Sequence, residues 1–382
     1  MADHHDAADD GGNNNAFIYT GGRAPQHVTR VIIDDSIDVI EVRAFYNCPR
    51  LEYIQLHNGV KRIKRGAFYM CRSLRRIQMR GVKFIDEEAF GRCTSLLYVE
   101  LGDELEVIGR AAFMGCRALK RVRIPTSVLT ISASAFSLCT GLMDVDFPDC
   151  DVGGEGGMRL ESIESNLFSS CTSLKRIVLT SSSLLHIRDY AFCNCIGITE
   201  LILPDGLESI GVRSFFRCRS VRRIEMPLID NIPLNAFDSC DSLTRIDLTG
   251  MIHTTVSRLH LGSWRDQMHT EITSINDILP TTPVAEKTDQ IRQWMQSVTS
   301  ALEDYKAKHH QVLKEVTTHL ELFLWGMNLG EGDGKGDCGE DYSVTPARKK
   351  CKIDVGSARR ERRFTSGANV IIKNVLPFLK LS

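Results

Sequence analysis

The chain has 382 residues, 43% of them hydrophobic and 25% charged, with a formal net charge of −1. These proportions fit a globular protein with a large core, and near neutrality excludes recognition of nucleic acid or an anionic membrane through a global positive field, so any electrostatic function must be local. No run of about 18 apolar residues marks a membrane span, and the 13 cysteines, in a long chain without a basic and apolar start, are expected to stay reduced in a cytoplasmic protein, with the nucleus as the alternative compartment.

Residues 1–27, opening MADHHDAADDGGNNN, read as a disordered acidic leader rich in Gly and Asn. From residue 28 to 250 the chain repeats. Phenylalanines stand at 45, 68, 90, 113, 136, 168, 192, 215 and 237, and each is followed three residues later by a cysteine, from Cys48 through Cys116 to Cys240. A small residue precedes eight of the nine, Leu167 being the exception. The unit I-x-x-x-A-F-x-x-C-x-x-L-x-x-I-x-L ends in the period-two alternation of a short strand, and Pro125, Pro148, Pro204 and Pro227 close four of these strands. One such coil cannot bury its apolar face alone. Coils must therefore stack at about 4.8 Å per strand in a parallel sheet, with Phe, Ile and Leu in continuous internal columns.

This AFxxCxxLxxIxLP core, nine times over, resembles the BspA-like class of leucine-rich repeats. The resemblance implies a repeat solenoid of short parallel β-strands used for binding, followed here by a long C-terminal α-helix, with no catalytic residues and no cofactor to carry over. The ending GANVIIKNVLPFL and the helix containing LELFLWGMNL are similar to the C-terminal regions of diatom BspA-like proteins.

Strand alternation points two columns of side chains outward. The residues before the central Ile read Tyr53, Arg76, Tyr98, Arg121, Asp144, Arg176, Glu200, Arg223 and Arg245; those after it include Arg123, Val178 and Ile202. Two readings are compatible. The alternation of Arg with an aromatic or an acid keeps like charges apart, and Tyr and Arg are also the anchors favoured at protein interfaces. These twelve residues are the candidate partner-binding set, for a protein partner of unknown identity; replacing Arg121, Arg176 and Arg223 together should abolish capture and leave the thermal melt nearly unchanged. The cysteine column offers each thiol only two near neighbours, too few for zinc, so the expected role is a small core residue whose thiol meets a backbone carbonyl.

The single large break in period, residues 149–160, reads as a glycine-rich surface insertion without phosphate-loop context. Residues 251–283 read as a cap or linker. In the helix expected over 284–328, Ile291, Met295, Val298, Leu302, Tyr305, His309, Val312, Val316, His319 and Phe323 form a heptad seam. That seam suits a homodimer through 291–323 or docking of the apolar tail, 368–382. Between them, 329–367 reads as a flexible loop whose basic run (Arg348, Lys349, Lys350, Arg359, Arg360, Arg362, Arg363) resembles a bipartite nuclear-import signal; as a solvated linker it would do nothing more, and nucleic acid is an unlikely partner on this charge pattern. No nucleophile, base and oxyanion donors converge in the sequence, and Cys193-x-Cys195 lacks further ligands, so neither catalysis nor a metal site is expected.

Overall fold

A computed structural model describes residues 16–147, 160–179, 183–259 and 261–329. The chain divides into two compact units, residues 1–317 and 318–382. The first unit is a parallel β-solenoid closed by helices. Of the second, the described part is the end of the last helix.

Eight of the nine phenylalanine coils carry two strands where the sequence suggested one. The longer strands, such as Tyr53–Gln55 and Arg76–Met79, come from the Leu-x-x-Ile-x-Leu segment, and their exposed-buried-exposed pattern follows the pleat. A second row consists of two-residue strands such as Arg62–Ile63 and Val107–Ile108, each burying an Ile that precedes the Ala-Phe pair. Two residues are too few for alternation to register in sequence. All pairings are parallel, and the longer strands fall into hydrogen-bonded sheets of five, two and four strands.

Part of the stretch read as a disordered leader is folded. Phe17–Tyr19 pairs in parallel with Arg30–Ile33, and the Tyr19 ring sits 4.8 Å from Phe45 at the head of the phenylalanine column. Its hydroxyl donates to the Gly22 carbonyl at 2.8 Å, so the polar tip is satisfied while the ring is buried. From Phe45 to Phe237 the rings stack at 5.0 to 5.7 Å with planes within 10° of parallel. Each is fully buried, a contribution of about 2–3 kcal/mol per ring.

The arc around each phenylalanine explains the rest of the motif. In eight coils the residues two before and two after the Phe are left-handed, as with Arg43 (φ 56°) and Asn47 (φ 55°) around Phe45. For non-glycine residues that costs about 1 kcal/mol or more each. The offset is a backbone ladder: the N–H groups of Arg43, Phe45 and Asn47 donate to the carbonyls of Arg65, Ala67 and Tyr69 on the next coil at 3.1, 2.7 and 2.8 Å. The same three bonds join the coils on either side of the insertion, from Ser134, Phe136 and Leu138 to Ser165, Leu167 and Ser169. Added length there leaves the joint unchanged.

The cysteine closes the arc in the opposite direction. Cys71 Sγ donates to the Phe45 carbonyl at 3.1 Å, and Cys93, Cys116, Cys139, Cys171, Cys195, Cys218 and Cys240 repeat the contact at 3.0 to 3.3 Å. Among the described residues ten cysteines are free thiols. Burial pushes the Cys93, Cys139 and Cys240 thiols up to about 12, so the column is neutral and unreactive near neutral pH.

After the last strand, Arg245–Leu248, the chain turns helical: α1 (Met251–Ser257), α2 (Gly262–Thr273), α3 (Ile275–Ile278) and α4 (Lys287–Leu329). Asn276 Oδ1 accepts the Ile246 N–H of that strand at 2.8 Å. Lys287 is buried and donates to the Asp241 and Leu243 carbonyls at 3.1 and 2.6 Å, and Thr288 Oγ1 accepts the Phe237 N–H at 3.3 Å. Met268, Ile272, Ile275, Leu279, Ile291, Met295, Val298 and Leu302 are buried in the same continuous core.

The heptad seam therefore has two fates. Its first four members are buried in the first unit, whereas Val312 and Val316 are 39% and 52% exposed. Periodicity marks an apolar stripe without saying what covers it. The insertion from 149 to 159, the basic run and the apolar tail lie outside the described residues.

Candidate protein-binding face

The strand register brings the first outward column together and lengthens it by one residue. Arg30 pairs with Tyr53, Tyr53 with Arg76, and Arg76 with Tyr98. Arg121 follows on the adjacent strand, across the break between the five-stranded and two-stranded sheets. Sequence inspection missed Arg30 because its coil has Gly22-x-x-Pro25 at the position of the repeated Phe-x-x-Cys; the alternation R-V-I-I was the available signal.

In this part of the face the positive charge is open. Among the described residues Arg30 and Arg76 have no ion-pair partner; the Arg30 guanidinium lies instead 5.3 Å from the centre of the Tyr53 ring, within cation–π reach. Arg121 and Arg123 meet Asp144 and Asp146 only at 3.8 and 3.7 Å, with their side chains 81% and 82% exposed. Tyr53 and Tyr98 are 44% and 49% exposed, large aromatic surfaces left in water. Glu100, the one acid of the second column here, is taken up by Arg80 at 2.8 Å and Gln78 at 2.9 Å. A groove of about 1200 Å³ lies at the sheet break, lined among others by Arg80, Tyr98, Arg121, Arg123, Asp144 and Arg176.

Further along, the same columns are closed on themselves. Arg223, partly buried, binds Glu200 at 3.0 Å, Asp247 at 2.6 Å and Glu225, while Arg245 binds Asp247 at 2.9 Å and Arg176 approaches Glu200 at 3.8 Å. Asp247 in particular holds the Arg223 guanidinium further toward its charged form. Ile202 is half-buried and pairs in register with Val178. Arg223 is thus a strut between three coils rather than an open anchor. Replacing it with Arg121 and Arg176 would disturb the fold as well as the face.

Among the described residues no group of three or more His, Cys, Asp or Glu stands close enough to hold a metal ion, and no helix is long and apolar enough to cross a membrane.

The sequence of residues 24–143 and 159–263 matches the BspA type leucine rich repeat region, in six copies, and the chain belongs to that family. Leucine-rich repeats commonly mediate protein–protein interaction, and the solenoid is usually a binding rather than a catalytic fold. Solved structures similar to this chain include a leucine-rich repeat protein from Bacteroides ovatus, 24% identical over 58% of this chain and 74% of that one with a TM-score of 0.36. A leucine rich cell surface protein from Faecalibacterium prausnitzii is 26% identical over 59% and 80%, TM-score 0.29. The pneumococcal vaccine antigen PcpA is 21% identical over 62% and 67%, TM-score 0.38. No curated protein matches.

Proposed function

We propose that this protein is a non-catalytic interaction scaffold that binds a protein partner through the outward face of its repeat sheet. The observation that carries this reading is the open column Arg30, Tyr53, Arg76, Tyr98 and Arg121, in which Arg30 and Arg76 have no ion-pair partner among the described residues, Arg121 meets Asp144 only at 3.8 Å, and the tyrosines are solvent-facing beside a groove. Tyr and Arg supply large contact area and charge-assisted hydrogen bonds where a partner excludes water. The helices after residue 250 act as the cap of the solenoid in this reading. Asn276 satisfies a backbone N–H of the last strand that would otherwise face outward from a raw sheet edge, and Lys287 takes the Asp241 and Leu243 carbonyls in the segment leading into that strand.

Affinity capture from the native organism tests the face. Wild-type protein and an Arg245→Glu variant should retain the same partner, and an Arg76→Glu, Arg121→Glu variant should lose it; equal capture by all three removes this face from consideration.

A second reading has its own observation, the exposed Val312 and Val316 on the heptad seam. In that reading α4 works as an assembly helix through residues 291–323 in two copies of the chain. Val312→Glu with Val316→Glu should then convert a dimer to a monomer in sedimentation, whereas a wild-type monomer rejects it.

A further inference from the structure

The open column has a spacing as well as a charge, and the spacing narrows the chemistry of its ligand. Phenylalanine rings of successive coils lie 5.0, 5.1 and 5.2 Å apart in this half of the solenoid, so coils two apart are separated by about 10 Å. Arg30, Arg76 and Arg121 recur at that interval, with Tyr53 and Tyr98 between them. The flanking column, Thr29, Glu52, Arg75, Leu97 and Lys120, adds two bases and one acid, so the positive sign is not cancelled from the side.

A peptide extended in the polyproline II conformation rises about 3.1 Å per residue and repeats its side-chain direction every third residue, so residues i, i+3 and i+6 share one face at intervals of about 9–10 Å. Laid across the strands, such a peptide would bring a carboxylate at every third position onto one arginine and the residues between onto the tyrosine rings. We propose that the ligand of this column is an extended acidic protein segment with carboxylates at positions i, i+3 and i+6. The proposal rests on the reading above that this face binds protein, and it adds the partner's charge and register.

The closed half of the face supports this choice from within the molecule. There Glu200, Glu225 and Asp247 already occupy the arginines, showing which chemistry these side chains accept at this geometry. In the open half close carboxylates are not available: among the described residues Arg30 and Arg76 have no ion-pair partner, Glu100 is taken by Arg80, and Arg121 reaches Asp144 only at 3.8 Å. A partner would supply them.

The test uses the full chain and fluorescein-labelled peptides of equal length and charge, one with glutamates at i, i+3 and i+6 and one with three consecutive glutamates, alongside a single-stranded oligothymidylate. In anisotropy titrations the spaced peptide should bind roughly tenfold more tightly than the consecutive one. Arg76→Glu should weaken it by about tenfold or more, the milder Arg76→Gln by a smaller factor, and Arg245→Glu by less than about twofold. Circular dichroism melts of each variant separate lost binding from lost folding. Equal affinity for the two peptides, equal losses in Arg76→Glu and Arg245→Glu, or tighter binding of the oligonucleotide than of the spaced peptide would overturn the proposal. No binding of either peptide also overturns it. If Arg76→Glu, Arg121→Glu still loses the native partner, the protein-binding face survives that failure; if it does not, both fail.

Discussion

The two halves of one sheet face are built by the same repeat and end in opposite electrostatic states. Arg30 and Arg76 stand beside tyrosines and open water, and Arg121 and Arg176 meet their neighbouring acids only at 3.8 Å, whereas Arg223 and Arg245 are held closely by Glu200, Glu225 and Asp247. Underneath, the phenylalanine and cysteine columns run on without distinction. A repeat fold separates these layers, because the backbone joint and core set the register and the outward positions are free to differ coil by coil.

The comparison can be broken from the inside first, and the largest effect expected there is alkaline. Buried thiols keep their protons up to about pH 12 in the folded chain and lose them from about 9 when it unfolds, so their stabilisation is complete below pH 9 and is lost as pH rises toward 12. Each thiol should cost about 1.4 kcal/mol per pH unit in that window. Urea midpoints should be flat from pH 7 to 8.5 and fall steeply above about pH 9. Coil-resolved hydrogen exchange should show both halves opening together, and early loss of one half would contradict a uniform interior.

Next in size are single ring deletions. Phe90→Ala and Phe192→Ala should each destabilise by about 3–5 kcal/mol and to the same degree, read from urea unfolding. Unequal costs would mean that the halves differ in packing and not only at the surface. The surface itself is tested by smaller changes. Arg223→Ala leaves Glu225 without its arginine and removes one of two from Glu200 and Asp247, and should cost about 1 kcal/mol, discounted for the partial exposure of the network. Arg76→Ala should change stability by less than about 0.5 kcal/mol while altering binding. Equal stability losses at the two positions would erase the difference between strut and anchor.

Much of the solenoid was legible in the chain because each coil restates the same instruction. The Phe-x-x-Cys spacing located every arc, and Leu-x-x-Ile-x-Leu located the outward columns. What escaped were the places where the instruction is altered or too brief. Gly22-x-x-Pro25 stands at the Phe-x-x-Cys position of the first coil, and the Tyr19 ring heads the column from the strand before it, so both that strand and Arg30 stood outside the repeat count. The second row of strands is two residues long, below the length at which alternation is informative. Of the candidate site, the column members could be named, but whether an arginine was open or closed could not. That state depends on carboxylates two residues along and one coil away, as Asp247 is to Arg223, and on side-chain reach that a list of positions omits.

The three N–H bonds that each arc from Phe45 to Phe192 sends to its neighbour involve no side chain. A coil can therefore be duplicated or removed by a single in-register change of about 23 residues in the gene without redesigning either interface it makes. Such a scaffold can change the length of its surface in steps of one coil, about 5 Å, and revise the chemistry at each step separately.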